Sequence, residues 1–384
     1  MSVPWTGVEA AGANPAWADL PEQLLIGLGT GATYALIALG YSLVYGVLRL
    51  VNFAHGEFFM VGGYVGYFAL RDRLVERLGL PFPLPLVLAL GLALSAAALA
   101  AGALSVLTER VAYRPLRGSD RNACLITAVC VSLILQNVAI KLWGGEPRAY
   151  PEPARWAAVD SLPRVLPEGY RVDLLPDTVE ESLAQRWNAV LTAGAEVGGE
   201  ARRQLRADGI HSVARVLPVD RSVAYGASVL ALCLGTPILL YLVRRTRAGR
   251  AMRAVSEDQE AAQLMGIDVD RVVSWTFFVG GLVAGVGGVL ACIQAGVVEP
   301  FAGFLPGLKA FAAAVLGGIG SISGAILGGL LLGFAEVLVP YLLEGCTGWS
   351  SASAWKDSIA FALLILVLLV RPTGLLGATE EVRV

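Results

Sequence analysis

Long apolar runs joined by short, arginine-bearing connections set the pattern of this chain. A bilayer crossing takes about 20 mostly apolar residues. Uncharged stretches of that order cover 23–48, 78–108, 122–140, 222–243, 272–298 and 310–335, and shorter ones cover 58–70 and 358–370. Arginine in short loops marks the cytoplasmic side. One such loop carries Arg110, Arg114, Arg117 and Arg121; another carries Arg244, Arg245, Arg247, Arg250 and Arg253. Counting back from these puts the N-terminus outside, and Arg371 after the last run puts the C-terminus inside. An odd number of crossings follows, so 309–341 must cross twice, with its turn near 317–324. The count is about nine, the seventh short or discontinuous. The loop with Arg71, Arg73 and Arg77 then falls outside, against the arginine rule.

The pattern breaks between residues 144 and 221, where ten arginines, twelve acidic residues and seven prolines occur in 78 residues. A loop this long does not report topology by its charge, but its flanks place it outside, as a lid, a docking surface or a loose loop. Within it, 178–191 and 200–206 are compatible with short helices. The expected organisation is a polar lead-in at 1–21, four transmembrane helices over 22–143, the extracytoplasmic insert at 144–221, five more helices over 222–377 with a cytoplasmic loop at 244–271, and a tail at 378–384. The lead-in holds Glu9 and Asp19 and no basic start, so it does not read as a cleavable signal peptide. The fold class is all-α, a polytopic integral membrane protein of about eight to nine transmembrane helices.

Composition agrees and removes several functions. Of 384 residues, 56% are hydrophobic and 16% charged, against about 25% charged in soluble domains. So apolar a chain would leave no wettable surface as a cytosolic enzyme. The net charge of −2 gives no ground for a nucleic-acid partner. Five cysteines and two histidines offer no zinc spacing; Cys124, Cys130, Cys233 and Cys292 lie in apolar runs and read as small core residues. None of Lys141, Lys309 and Lys356 follows a glycine, so there is no Walker A loop and ATP hydrolysis is not expected here. No catalytic constellation, metal site or cofactor is expected in the chain. Glycines four apart, as in Gly27/Gly31, Gly281/Gly285 and Gly329/Gly333, predict close helix packing.

Three polar features remain. The run after Asn52-Phe53-Ala54-His55-Gly56-Glu57 is too short to cross alone, so a span ending at Leu70 starts near Val51 and draws His55 and Glu57 to membrane depth. Ionisable groups there face the bundle interior or an aqueous path, and Gly56 would ease a helix break; a capping cluster at the helix end is the alternative. Glu336 is an acid in an apolar helix, either a pathway group or one reaching the outer interface before Pro340. Gln136 and Asn137 read as interhelical hydrogen-bonders. The third feature is Ser256-Glu257-Asp258-Gln259-Glu260-Ala261-Ala262-Gln263-Leu264-Met265-Gly266-Ile267. Ser256 and Gln259 form a capping box, Glu257 and Asp258 suit a helix N-terminus, and Gly266 suits a C-terminal stop. A helix of about ten residues results, and one so short needs a docking partner.

Glu260-Ala261-Ala262 with Gly266 resembles the Glu-Ala-Ala···Gly loop of ABC importer permeases. More narrowly, 31–41 (GATYALIALGY), 52–57 (NFAHGE), 109–117 (ERVAYRPLR), 308–321 (LKAFAAAVLGGIGS) and 371–377 (RPTGLLG) resemble the permeases of branched-chain amino acid importers, over 22–143 and 222–377. The resemblance implies a bacterial inner-membrane subunit working with a second related permease, two ABC ATPases carrying the ATP, and an extracytoplasmic substrate-binding protein. It implies ATPase coupling through Glu257, Asp258, Glu260, Ala261, Ala262, Gly266 and Ile267, with Ala262 small so that an ATPase groove closes over it. Tyr34, Asn52, Phe53, His55, Gly56, Glu57 and Glu336 are the candidate translocation path. Permeases for urea and short amides share the Ala-His-Gly-Glu segment, so that cargo is an alternative; a secondary transporter without an ATPase is the rival of another class. The insert is longer than the family pattern.

Overall fold

The computed structural model describes residues 19–71, 84–117, 120–151, 154–158, 170–171, 181–191, 197–208, 210, 212–216, 221–348 and 351–377. Most of the lead-in, Arg73, Arg77 and the tail at 378–384 lie outside them. In chain order the helices are α1 (Leu20–Leu48), α2 (His55–Arg71), α3 (Leu84–Thr108), α4 (Arg121–Trp143), α5 (Glu181–Val190), α6 (Gly199–Ala207), α7 (Arg221–Arg245), α8 (Arg247–Glu257), α9 (Gln259–Leu264), α10 (Val269–Ala295), α11 (Phe304–Gly317), α12 (Ile322–Thr347) and α13 (Lys356–Val370). Seven of the apolar helices are long enough to cross a membrane, the last when α13 is taken with the 3₁₀ turn (Ala352–Trp355) that leads into it; α2 has 17 residues and α11 only 14. The chain is a polytopic helical membrane protein, and the short α11 falls in the stretch where the sequence leads one to expect a short or discontinuous seventh crossing.

The described chain divides into two compact units, one of 19–66, 94–148 and 222–377 and the other of 67–93 and 149–221. In the first, glycine lets backbones touch. A Cβ on Gly333 would lie 2.2 Å from Gly31 Cα, and one on Gly329 2.5 Å from Ala35 Cα, which fixes α12 against α1. Gly285 is held as closely against Ala97 of α3, at 2.4 Å from its carbonyl oxygen. Small residues four apart allow this approach.

Helix ends are closed locally. Arg49 ends α1 in a left-handed conformation, φ 52°, its N–H donating to the Tyr45 carbonyl. The helix α3 runs on into a π turn (Glu109–Tyr113) and a 3₁₀ turn (Arg114–Leu116), where Pro115 removes a backbone donor. The C-terminal stop of α11 is built from far away. Leu375 N–H donates to the Leu316 carbonyl at 2.9 Å and Leu376 N–H to that of Gly317 at 2.8 Å. The 371–377 block therefore satisfies carbonyls that a helix end leaves orphaned. Ser321 then caps α12, accepting from Gly324 N–H at 3.1 Å.

The second unit holds an antiparallel sheet in which Ser212–Val216 lies between Ala154–Ala158 and Tyr170–Arg171, with Trp156 opposite Ala214. Helices α5 and α6 fall on the two stretches expected to be helical, and Trp187 Nε1 donates to Asp208 at 2.8 Å. Tyr67, near the end of α2, meets Tyr150 at 6.1 Å between ring centroids. The end of α2 and the start of the insert thus meet within this unit.

Three local expectations are corrected. Only Cys292 of the apolar-run cysteines is buried; Cys130 and Cys233 are exposed and Cys124 is intermediate, because most of their helices' surface faces outward rather than into the bundle. Asn137 donates to the Leu133 carbonyl of its own helix at 2.7 Å and makes no interhelical bond. Gly56 breaks no helix; α2 runs through it, and its missing Cβ admits Gly303 O at 2.3 Å.

Candidate functional site

The 256–267 segment is two helices rather than one. Ser256 lies inside α8, where its hydroxyl donates to the Arg253 carbonyl at 2.8 Å. The cap is Asp258, extended at φ −152°, whose carboxylate accepts from the N–H groups of Glu260 and Ala261 at 2.9 and 3.0 Å. An acid bridging two helices in this way outbids a serine already held in the preceding turn. The far end closes as a Schellman motif: Gly266 N–H donates to Gln263 O at 2.9 Å and Ile267 N–H to Ala262 O at 3.0 Å, with Gly266 at φ +81°.

Burial on α9 is one-sided. Ala262 is 4% exposed and packs in this chain's own cluster with Val44, Val47, Met252, Val255 and Phe277. Its small size is therefore accounted for within the chain, which corrects the expectation that a partner groove closes over it. Leu264 and Met265 instead stand 89% and 83% exposed. A shallow hollow at the start of α9 is lined by Val47, Leu48, Arg49, Glu257, Asp258 and Glu260, among others.

Behind α9 lies a charged network that the sequence reading used only to orient the chain. Glu109 is fully buried. It accepts from Arg114 at 3.1 and 3.2 Å, from Ser274 Oγ at 2.6 Å, and from Arg117. Both arginines also pair with Asp270, which begins α10. The turn after α3 is thereby tied to the helix that follows α9.

Asn52, His55 and Glu57 are each 1% exposed, as drawing them into the bundle requires. Their roles divide. Asn52 Oδ1 accepts from Ala54 N–H at 3.1 Å and from Tyr113 OH at 2.6 Å, a capping and bracing task. The His55 ring packs 4.6 Å from that of Tyr41, in space that exists because residue 40 is glycine: a Cβ there would sit 2.2 Å from His55 Nε2. Glu57 reaches α4, where its Oε1 accepts from Ser132 and Gln136, both at 2.8 Å. Ser132 and Gln136 also line a cleft of about 90 Å³ with Tyr41, Phe53, Leu133, Phe304 and Leu308.

Tyr34 and Glu336 meet in a second buried cluster. Tyr34 OH donates to Glu336 Oε2 at 2.8 Å, and Lys309 Nζ pairs with Glu336 Oε1 at 2.8 Å and with Asp357 at 2.5 Å. Glu336, 8% exposed, does not reach an interface; its counter-ion holds it in the interior. Lys309 and Asp357 escaped the sequence reading. A lone lysine inside an apolar block was the available signal, since such a charge requires a partner. No hydrogen bond joins this cluster to the Asn52–Glu57 group, and no group able to hold a metal ion occurs, among the described residues.

The family model described as branched-chain amino acid transport system / permease component matches residues 23–368. The chain is 37% identical to the high-affinity branched-chain amino acid transport system permease protein BraD of Pseudomonas aeruginosa, over 94% of this chain and 97% of that one. The same figures hold for LivH, the permease protein of that name from Escherichia coli K12. A probable branched-chain amino acid transport permease protein of Methanocaldococcus jannaschii is 28% identical, over 94% of each chain.

Proposed function

Since the chain belongs to the family of permease components of branched-chain amino acid transport systems, we propose that it is a transmembrane subunit of an ATP-driven importer of leucine, isoleucine and valine. Its partners on this reading are a second related permease, two ABC ATPases that carry the ATP, and a binding protein that delivers cargo. The chain performs no covalent chemistry. It offers helices that form half of a path and a surface through which an ATPase moves them.

The observation that carries this reading is the outward face of α9. Leu264 and Met265 are the most exposed large apolar side chains described, and they stand on a helix fixed at both ends by its cap and its Schellman stop. Exposed apolar side chains clustered on a rigid element mark a docking site. Glu257, Asp258 and Glu260 at the start of α9 add a negative rim suited to basic groups on the ATPase.

In orientation, we place the N-terminus and the insert outside and Arg244–Arg271, α9 and the C-terminus in the cytoplasm of a bacterial cell. On this reading the seven membrane-length helices and the shorter α2 and α11 all cross, and that odd number supports ends on opposite sides. Co-expression of the permeases with the ATPase tests the docking claim: the complex is expected to co-purify, and Leu264→Asp with Met265→Asp is expected to release the ATPase from membranes that still contain the permease. Undiminished ATPase recovery would refute it.

A further inference from the structure

Glu57 has one oxygen satisfied and one not. Oε1 accepts from Ser132 and Gln136 at 2.8 Å, while Oε2 is buried with no hydrogen-bond partner, and no cation pairs with Glu57 among the described residues. A carboxylate held inside a membrane bundle without a counter-charge is costly. Nearby, Asn52 Nδ2 and Ser42 Oγ are also buried without partners, and His55 makes no well-aligned hydrogen bond, facing the Ile37 carbonyl. Polar capacity is concentrated here and left unused.

The two donors to Glu57 are also walls of the α4–α11 cleft. Much of the remaining lining is apolar, with Val129 and Leu133 on the same helix and Phe53, Phe304 and Leu308 from other segments. Gly303 and Gly307 bare their backbones in the same wall. We propose that this cleft, which the Glu57 carboxylate adjoins through Ser132 and Gln136, is the subsite that takes the α-ammonium and the aliphatic side chain of the amino acid in passage. The ammonium supplies the missing charge to Oε2. The apolar wall takes the branched side chain. The proposal rests on the permease reading and deepens it.

Size and position agree with a site seen closed. The cleft holds about 90 Å³, less than the roughly 300 Å³ at which small-molecule pockets begin. Its lining includes Leu133 on the outer flank of α4, which is 53% exposed. The start of α2 is braced by the close approach of Gly56 to Gly303 and by the Tyr113 hydroxyl on Asn52.

The test uses the complete complex in proteoliposomes, with leucine-loaded binding protein outside and ATP within. Glu57→Gln keeps the shape and the acceptor oxygen for Ser132 and Gln136 but loses the charge. The subsite predicts at least a tenfold lower kcat for leucine uptake, an unchanged KM for the loaded binding protein, normal assembly, and partial recovery in Glu57→Asp. A purely structural carboxylate predicts uptake within twofold of wild type for the isosteric variant, or a loss matched by loss of assembled complex; either result overturns the proposal. As a second measurement, Leu133→Cys in a cysteine-free complex is labelled with a maleimide during turnover. Leucine is expected to slow labelling at least threefold, and the Glu57→Gln change to abolish that protection; labelling indifferent to leucine overturns the proposal. Absence of ATP-driven uptake by the wild-type complex would instead defeat the permease reading itself.

Discussion

Removing the Lys309 charge is the sharpest perturbation of the membrane core. Lys309 is 3% exposed and pairs with two carboxylates, Glu336 at 8% and Asp357 on a side chain 41% exposed. In Lys309→Met the half-exposed Asp357 rehydrates, so its lost pair is worth only about 0–1 kcal/mol. Glu336 cannot rehydrate. It keeps the Tyr34 hydroxyl, but a buried charge stripped of its partner costs about 3–5 kcal/mol. In Glu336→Gln the lysine retains Asp357, and the loss falls to about 1–3 kcal/mol, the cost of an impaired buried hydrogen bond. The double variant Lys309→Met/Glu336→Gln removes both charges together and should be less destabilised than Lys309→Met alone. Unfolding in mixed detergent micelles reads these differences. A Lys309→Met loss under about 1 kcal/mol, or a double variant whose loss is the simple sum of the two, would refute the ion-pair account, since contacting residues must couple.

Other consequences are independent. Asp258→Ala should cost about 1 kcal/mol, as loss of an N-cap does, and should weaken ATPase retention by the complex while leaving the membrane helices folded, as read by thermal unfolding. Gly333→Val should overpack the α1–α12 contact by about 1–3 kcal/mol or more, seen as a lowered Tm. Deleting 371–377 bares the Leu316 and Gly317 carbonyls, at about 1–3 kcal/mol for each buried group left unsatisfied; a deletion with unaltered Tm would contradict the strap. Glu109→Ala should lower Tm by weakening the α3–α10 link, because Arg114 and Arg117 lose their buried acceptor and keep only the exposed Asp270, and Arg117→Ala should do so less.

Much of the fold was legible because the bilayer simplifies the problem. Run length marked the apolar helices, and the stretch expected to hold a short or discontinuous helix contains α11, of 14 residues. Four-residue glycine spacing gave the close α1–α12 contact for the same reason: in lipid, small residues are what lets helices approach. The misreadings share another origin. Ser256 and Asp258 both satisfy a capping pattern, and only the path of α8 decides between them. Ala262 looked like a contact for a partner because nothing local shows that α9 lies against Val44 and Phe277. The Glu109 network joins residues about 160 positions apart, so its arginines read as topology markers and nothing more. Lys309 and Glu336 were each visible, but their pairing depends on how α11 folds back on α12.

ATP-driven uptake is the measurement closest to the central claim. Proteoliposomes holding this chain, its companion permease and the ATPase, supplied with loaded binding protein, should accumulate radiolabelled leucine only when ATP is enclosed. Excess isoleucine or valine should suppress the signal. Dissipating the proton and sodium gradients should leave it unchanged. Leucine accumulation without ATP, driven by an imposed ion gradient in vesicles that contain this chain alone, would contradict the account.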